Sequence, residues 1–343
     1  MAQTFKKETQ LKNEQKIEEM LKTLPDYVRK YMNFIKLNVA ASTRLAYLRE
    51  IARFLDYIEE REGSTTLLTL DGLPADTIND WLTSMSVYEK DGVTYTNENI
   101  SLKRKLLSVR GLYDYLFEQE IIEHNPARKV MLPKVPKKKI IQMGHDESET
   151  FLDTVQYGNK MSKQETAFHD KYGFRDFTLL SLMLGTGIRV SEAAGLNIED
   201  IDMKRHAIRI IRKGGKEDIV YFSDELSEIL SDYLELYRKK QVPFEGHEQA
   251  LFLSVQRKRI TIRGIQKMVK KYATHTELLK HITPHTLRRS YGTQLYEATD
   301  GDIYLVSSIL GHESVDTTAK AYVKQSEERK EKARNMLSQN TKP

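Results

Sequence analysis

A set of basic residues and one tyrosine in the later part of this chain has the residue types that could cleave a phosphodiester. An arginine guanidinium binds two non-bridging phosphate oxygens at once, and a lysine ammonium can protonate a leaving oxygen. An imidazole can move a proton, and a phenol can attack phosphorus as a nucleophile. The candidate catalytic residues are Arg189, Lys213, His285, Arg288, His312 and Tyr322.

Arg189 follows a break between two predicted helices. A buried-looking helix over Phe174–Leu184 is stopped by Gly185, and the chain then passes through Gly187 to Arg189. Because glycine lacks a side chain, the backbone here can approach a ligand closely. An isolated arginine is more often a surface cation, but the Val-Ser-Glu192 that follows makes this run distinctive. We interpret Glu192 as a residue that orients the site rather than one that reacts.

His285 and Arg288 lie three positions apart at the start of a predicted helix. Thr283 is a good N-cap and Pro284 suits the first helical position, so both side chains fall on one side of the first turn. The positive end of the helix also favours an anion at this point. A core histidine at a helix start is the ordinary alternative, but that alternative does not account for the arginine.

Lys213 lies at the tip of a predicted β-hairpin. Two β-like runs, His206–Arg212 and Asp218–Phe222, are joined through Gly214-Gly215, which supplies the positive φ angles of a tight turn. Lys216 is a second candidate on the same tip. Lysines flanked by glycine in hairpins commonly do no more than add solubility, so the residues alone leave the choice open.

His312 follows a glycine that is predicted to end a helix. Gly311 suits the C-cap of a helix over Ile303–Leu310, and a short helix is expected over Thr317–Tyr322. On its own, His312 would be a surface histidine. The run Leu-Gly-His-Glu-Ser makes it a candidate ligand of a phosphate oxygen or of the nucleophile.

The order and the residues of these sequence motifs resemble those of the tyrosine recombinase (phage integrase) family, and within it the Xer-like recombinases of bacteria. The resemblance covers nearly the whole chain. It implies that the tyrosine attacks the phosphate, giving a 3′-phosphotyrosyl link and a free 5′-hydroxyl. The implied roles are charge stabilisation by Arg189, Arg288 and His312, leaving-group protonation by Lys213, assistance to proton transfer by His285 and nucleophilic attack by Tyr322.

Two details of the match to that family concern the lysine and the tyrosine. The family places its catalytic lysine on the hairpin, and the pattern Lys-Gly-x-Lys favours Lys213 over Lys216. In Xer-type sequences the nucleophile often follows the histidine by nine residues, a place that Ala321 occupies here. Tyr322 comes one residue later, a spacing that is acceptable within the broader integrase family.

The resemblance implies a mainly α fold with a small antiparallel β-sheet, arranged as a two-domain C-shaped clamp around duplex DNA. The amino-terminal part resembles the helical core-binding (SAM-like) domain of the family, and the carboxyl-terminal part resembles its catalytic domain. The predicted divisions are a flexible leader over 1–25, the core-binding domain over 26–127, a basic linker over 128–145 and the catalytic domain over 146–343, which ends in a helix exchanged between subunits.

Basic residues also cluster outside the candidate catalytic set. A helix predicted over Ser101–Phe117 carries four on one side, and three more end a proline-interrupted linker. A solvated helix face and a solubilising charge run are the ordinary alternatives. In a chain that binds DNA, these residues are expected to contact phosphates. The predicted DNA-binding residues are Lys103, Arg104, Lys105, Arg110, Lys137, Lys138 and Lys139.

Two further local predictions concern the amino-terminal part. Ser42 is predicted to cap a helix with an apolar face, and Tyr88–Asn97 is predicted to be a turn-rich loop. The apolar face comprises Leu48, Ile51, Leu55 and Ile58.

The bulk composition agrees with a cytoplasmic globular protein. The chain has 343 residues, enough for two domains, with 39% hydrophobic and 30% charged residues. No apolar run approaches the length of a membrane span, and the absence of cysteine excludes disulfides and thiolate metal sites. The formal net charge of +5 is by itself weak evidence for a nucleic-acid partner.

The sequence therefore predicts a site-specific DNA recombinase that needs neither a cofactor nor a metal. It lacks a phosphate-binding loop and a carboxylate cluster suited to magnesium. The expected partners are double-stranded DNA, three further copies that form a homotetramer on two DNA sites and, for chromosome dimer resolution, a septal DNA translocase.

Three alternatives to this role are open, and the last two belong to different classes of protein. A phage or conjugative-element integrase or excisionase uses the same chemistry. A type IB topoisomerase relaxes DNA without exchanging partners, but the compact helical first domain and the His-x-x-Arg spacing argue against it. A non-catalytic DNA-binding regulator would have no need to keep all six candidate catalytic residues.

Overall fold

The computed structural model of the protein describes residues 2–90, 92–136, 140–212, 215–311 and 314–322. The chain divides into two compact units. The amino-terminal unit comprises residues 6–138, and the carboxyl-terminal unit comprises residues 139–343 together with residues 1–5. Both are mainly helical with small antiparallel sheets, which confirms the predicted fold class. Within the described ranges, no helix combines the length and the apolar character needed to cross a bilayer.

The described residues of the amino-terminal unit form helices and one short hairpin. The helices are α1 (Ala2–Leu21), α2 (Asp26–Phe34), α3 (Ala41–Glu62), α4 (Leu67–Gly72), α5 (Ala75–Ser84) and α6 (Asn99–Glu118). The hairpin strands are β1 (Val87–Lys90) and β2 (Val93–Thr96), which pair antiparallel.

The core of this unit lies between α3 and α6 and includes the predicted apolar face. Leu48, Ile51, Leu55 and Ile58 are all buried, as expected for a stripe at helical spacing. The helix that carries them begins at Ala41 with Ala40 as its N-cap, so the prediction that Ser42 caps it is wrong by two positions.

The predicted leader over 1–25 is not wholly detached. Its residues form α1, and Ile17 and Leu21 from the last two turns are buried in the amino-terminal core. Burial of two aliphatic side chains stabilises a helix whose polar sequence would be marginal in water. The later part of the predicted leader is therefore part of the domain.

The segment predicted as a loop over Tyr88–Asn97 instead contains the hairpin of β1 and β2. Alternating Val, Tyr and Thr residues favour extended strands, and Gly92, with a φ of +71°, makes the turn. Tyr88 and Tyr95 face each other across the strands with ring centroids 5.4 Å apart. The cross-strand pair stabilises a turn that the composition alone presents as irregular.

The described residues of the carboxyl-terminal unit form eight further helices around a small sheet. The helices are α7 (His145–Tyr157), α8 (Lys163–Thr186), α9 (Val190–Gly195), α10 (Asp224–Asp232), α11 (Ile262–His275), α12 (Pro284–Ala298), α13 (Ile303–Leu310) and α14 (Val315–Tyr322). A π-helical turn (Tyr233–Tyr237) and a 3-10 turn (Arg238–Lys240) continue α10. The strands are β3 (Ile201–Asp202), β4 (Ala207–Ile211) and β5 (Glu217–Tyr221).

The three strands form an antiparallel sheet in the order β3-β4-β5, which confirms the predicted hairpin. Ile208 pairs with Val220, and Ile210 pairs with Asp218. Ile208, Ile210 and Val220 are buried in the core of this unit. The sheet therefore anchors one side of the hairpin to the core.

Helix α8 runs through the core of this unit. It begins earlier than predicted because Ser162 and Glu165 form a capping box, and it continues through Gly185 to Thr186. Gly187 ends it instead, with a φ of +63° in the left-handed region. A Cβ added at Gly187 would lie 2.3 Å from Cδ1 of Tyr291, so the close approach of α12 also requires glycine.

The predicted linker over 128–145 is shorter in the structure. Val130 is buried in the amino-terminal core and Met143 in the carboxyl-terminal core. Arg128 forms ion pairs with Asp114 and Glu118 of α6. Both ends of the predicted linker therefore belong to the units beside them.

Replacing Gly187 with alanine should lower the free energy of unfolding by about 2–5 kcal/mol, because the substitution adds a left-handed backbone conformation to a steric clash. Chemical denaturation measures this loss. Gly246 provides the control, since its φ is +79° but nothing lies within 4 Å of an added Cβ. Gly246→Ala should cost only the backbone part, about 1–2 kcal/mol. Equal losses in the two variants would contradict the clash with Tyr291.

Candidate active site

Three arginines from three different elements converge on the carboxyl-terminal end of α13. Arg212 Nη2 donates to the carbonyl oxygen of Ile309 at 2.7 Å, and Arg189 Nη2 donates to that of Gly311 at 3.1 Å. Arg288 Nη2 donates to the carbonyl oxygen between them, on Leu310. The last carbonyls of a helix have no partner within the helix and form its negative end, so cations stabilise them.

Arg189 is held at the start of α9 by a buried carboxylate. Its backbone N–H donates to Glu192 Oε2 at 2.7 Å, and its Nη1 donates to Glu192 Oε1 at 3.0 Å. The Arg189 side chain remains 29% exposed, whereas that of Glu192 is 3% exposed. The carboxylate thus fixes the arginine at two points and leaves part of its guanidinium open to solvent.

Arg288 occupies the first turns of α12, as the sequence predicts. Thr283 caps the helix by accepting from Thr286 N at 3.2 Å, and Pro284 takes the first helical position. The Arg288 side chain is buried, and its Nη1 donates to the carbonyl oxygen of Gly187 at 2.6 Å. This contact joins the arginine of α12 to the loop that carries Arg189.

His285 lies on the exposed side of the same turn, within the electric field of the arginines. Partial desolvation by the surrounding protein lowers the pKa of its imidazole below the usual value. The positive charges of Arg289, Arg288 and Arg189 lower this pKa further. The imidazole is therefore uncharged at neutral pH and can accept a proton.

Arg212 is a member of the cluster that the sequence analysis did not identify. Its guanidinium is buried, and its Nε donates to Asp218 Oδ2 at 2.9 Å. The alternation of side chains along the strand could have identified Arg212 as a buried residue. Ile208 and Ile210 face the core, and continuing every second residue places Arg212 on the same side.

The remaining candidate catalytic residues are described in part or not at all. Lys213 and His312 lie outside the described residues. Gly311, with a φ of +60°, ends α13 as predicted, and α14 follows after a short connection. Tyr322 is the last residue of α14, which begins two positions earlier than predicted.

The predicted DNA-binding residues of α6 fall into two groups. Arg104 is exposed and Lys103 is partly exposed. Lys105 is buried with its Nζ 2.7 Å from Glu50 Oε2, and Arg110 donates to the carbonyl oxygens of two residues that follow α6. Lys105 and Arg110 thus make contacts inside the domain, contrary to the expected contact with phosphate. Lys137, Lys138 and Lys139 lie outside the described residues.

Comparison with known proteins identifies a matching family and sequence relatives of this chain. The Phage integrase family matches residues 142–329. Tyrosine recombinase XerS of Streptococcus uberis is 32% identical over 342 residues, covering 89% of this chain and 93% of the relative. Tyrosine recombinase XerD of Staphylococcus epidermidis is 29% identical over 293 residues, covering 85% of this chain and 91% of the relative.

Solved structures share the fold. The XerH site-specific recombinase bound to a palindromic difH substrate, in a post-cleavage complex, superimposes with a TM-score of 0.64 at 21% identity, covering 87% of this chain and 80% of that one. The Tn1549 transposon integrase in complex with transposon right-end DNA also gives a TM-score of 0.64 at 21% identity, covering 91% and 99%.

Lys105→Met should destabilise the amino-terminal unit by about 1–3 kcal/mol, because it leaves the Glu50 carboxylate without its buried partner. The loss of stability should be smaller than for a fully buried ion pair, because Arg53 Nη1 also lies 3.0 Å from Glu50 Oε1. Urea unfolding measures it, with Lys103→Met as the matched control that should change stability by less than about 0.5 kcal/mol. Equal stability of the two variants would show that the Lys105–Glu50 pair contributes nothing.

Proposed function

This chain belongs to the phage integrase family of tyrosine recombinases, enzymes that cut and rejoin DNA strands, and we propose that it does so at a specific site through a covalent bond to Tyr322. The observation that carries the assignment of the site is the convergence of Arg189 and Arg288 on the neighbouring carbonyls of Gly311 and Leu310. Two guanidiniums so placed can bind the non-bridging oxygens of one phosphate.

The proposed cleavage is a single displacement at phosphorus. The phenolic oxygen of Tyr322 forms a bond to phosphorus while the bond from phosphorus to the 5′-oxygen breaks. The leaving oxygen takes a proton from Lys213 and becomes a 5′-hydroxyl, and the 3′-phosphate remains bound to the tyrosine. The reverse displacement by another 5′-hydroxyl reseals the strand. Because the covalent bond keeps the energy of the phosphodiester, this scheme uses no nucleotide.

The charges near the reacting phosphate fit this displacement. The pentacoordinate transition state carries more negative charge than the ground state, so fixed cations stabilise it selectively. Arg189 and Arg288 supply that charge, and His312 contributes a further donor. His285, kept neutral by its surroundings, accepts the phenolic proton or passes it on.

The DNA partner that we propose is a duplex carrying the recombination site, contacted by residues of both units. Lys103 and Arg104 on α6 and Lys137, Lys138 and Lys139 in the linker supply phosphate contacts outside the reacting centre. Exchange between two sites requires four active centres, so the working assembly is a homotetramer on two DNA sites.

The biological role we propose is Xer-like resolution of chromosome dimers in the cytoplasm, with a septal DNA translocase as a further partner. The support is the likeness over most of the chain to relatives named XerS and XerD. Integration or excision of a mobile element uses the same chemistry and is the second candidate role. The fold shared with the Tn1549 transposon integrase is consistent with this second role. Identifying the bound DNA site by selection from random duplexes separates these roles.

Tyr322→Phe should keep DNA binding but abolish covalent capture. The substrate is a nicked duplex bearing the selected site, in which cleavage releases a short fragment and prevents resealing. Phenylalanine has the same shape but no hydroxyl, so no bond to phosphorus forms. Denaturing gels measure the adduct, and gel shifts measure binding.

Tyr304→Phe is the matched control, because Tyr304 is an exposed tyrosine on α13. This variant should form the adduct at the normal rate. An adduct that persists in Tyr322→Phe, with the DNA mapped by mass spectrometry to another tyrosine, would overturn the assignment of the nucleophile.

His285 should contribute fully to cleavage at neutral pH and lose its contribution only in acid. Its pKa lies below the usual value of about 6.5, so the imidazole is half protonated only below that pH. The ratio of the cleavage rates of the unsubstituted protein and His285→Gln should be constant from about pH 7 to 8 and fall below about pH 6.5. A ratio that still changes between pH 7 and 8 would show that the imidazole is not held neutral.

A further inference from the structure

We propose that Arg212 is a positioning residue that fixes the tip of the β4–β5 hairpin relative to the phosphate-binding arginines. The inference rests on the proposed function, since the tip carries the lysine to which we assign protonation of the leaving oxygen. Its basis is a set of contacts by which one buried side chain joins the hairpin, α9 and the end of α13.

The backbone of Arg212 closes the hairpin tip. Its N–H donates to the carbonyl oxygen of Lys216 at 2.8 Å, and its carbonyl accepts from Gly215 N at 3.1 Å. These two hydrogen bonds join Arg212 to Gly215 and Lys216 on the other side of the hairpin. A displacement of Arg212 is therefore expected to displace Gly215 and Lys216, and Lys213 follows Arg212 directly in the chain.

The side chain of Arg212 ties this turn to the rest of the site. Its Nε donates to Asp218 Oδ2 at 2.9 Å across the hairpin, and its Nη2 donates to the Ile309 carbonyl at 2.7 Å. Its Nη1 lies 3.4 Å from Glu192 Oε2, on the carboxylate that also holds Arg189. One guanidinium thus links the hairpin to both segments that position the phosphate-binding arginines.

The packing of Gly311 independently shows how closely the end of α13 approaches Arg212. A Cβ added at Gly311 would lie 2.6 Å from Arg212 Nε and 2.8 Å from its Cζ. No ordinary side chain fits there, so the backbone itself lies against the guanidinium. The residue after Gly311 is His312, so the same contact sets the start of the segment that leads to α14.

The chemistry of these contacts requires arginine. A planar guanidinium with five N–H groups can donate in three directions, towards Asp218, Glu192 and Ile309, while its charge balances two carboxylates. A single lysine nitrogen cannot reach all three acceptors at once. Without the guanidinium, the end of β4 loses its connection to α13. We then expect Lys213, the next residue in the chain, to lose its alignment with Arg189 and Arg288.

A misplaced tip should slow protonation of the leaving oxygen, which a modified substrate can test directly. In a 5′-bridging phosphorothiolate, sulfur replaces the leaving oxygen. The departing thiol has a pKa near 8.5, so it leaves as thiolate and needs no proton. Covalent capture is then measured on the selected site with the ordinary phosphate and with the phosphorothiolate.

The variants are Arg212→Met, the reference Lys213→Ala and the control Arg209→Met. Arg209 lies on the same strand but faces away from Arg212, and it pairs with Asp200. With the ordinary phosphate substrate, we expect Arg212→Met to slow covalent capture by roughly 10–100-fold. This is a part of the rate enhancement that general acid catalysis provides. On the phosphorothiolate, its rate should return to that of the unsubstituted protein, as for Lys213→Ala. Arg209→Met should match the unsubstituted protein on both substrates.

Two results would overturn the proposal: normal capture by Arg212→Met on the phosphate, or a defect that the phosphorothiolate does not relieve. If Arg212→Met unfolds, as judged by circular dichroism, Asp218→Asn replaces it, because it weakens the Nε contact with little change in shape. The same substrate-dependent rescue is expected, with a smaller defect. No capture by the unsubstituted protein on either substrate would instead refute the proposed function itself.

Discussion

The carboxyl-terminal end of α13 is the point on which the candidate active site depends. Its last carbonyls, on Ile309, Leu310 and Gly311, each accept a hydrogen bond from a different arginine. The three arginines come from the end of β4, from α12 and from the loop before α9, so one helix end sets the relative positions of three separate elements. Packing of Val306 and Leu310 against Tyr291 and Leu295 holds that helix end in place.

The choice of carbonyl acceptors has an electrostatic consequence. A buried guanidinium must have hydrogen-bond acceptors, but a carboxylate acceptor also neutralises it. At Arg288, backbone carbonyls satisfy N–H groups without themselves neutralising the charge, whereas Arg189 and Arg212 also pair with the Glu192 carboxylate. Arg288 donates to the carbonyls of Gly187 and Leu310. Desolvation lowers the pKa of His285 most, and the positive charges of Arg289, Arg288 and Arg189 lower it further. The field of these charges attracts a phosphate and disfavours a second cation.

Sequence patterns predicted the parts of this site that depend on local structure. The cap at Thr283 and Pro284, the bounds of α13 and the hairpin all follow from propensities within a few residues. The end of α8 was misplaced because both Gly185 and Gly187 can end a helix. Only the approach of Tyr291, far along the chain, decides between them.

Charged residues were harder to assign than glycines and caps. Lys105 and Arg110 look like part of a solvated basic face, yet their partners are Glu50 on another helix and carbonyls beyond the end of α6. The same is true of Arg212, whose acceptors lie on α9, β5 and α13. Helical periodicity shows which side of an element a cation occupies, but the acceptor that it meets is set by tertiary packing. The candidate site could therefore be predicted as a set of residue types, and its internal connections could not.

The arginine contacts also bear on when activity can arise during synthesis of the protein on the ribosome. The hydrogen bonds that connect Arg189, Arg212 and Arg288 to their carbonyl partners include three that span 97, 101 and 122 residues of chain. Amino-terminal regions fold first as a chain emerges, so the helices of residues 6–138 can form well before Gly311 has been added. Until then, Arg189 and Arg212 lack their acceptors at the end of α13, on Gly311 and Ile309. A nascent chain therefore has no assembled centre with which to cut DNA until the end of α13 has been made.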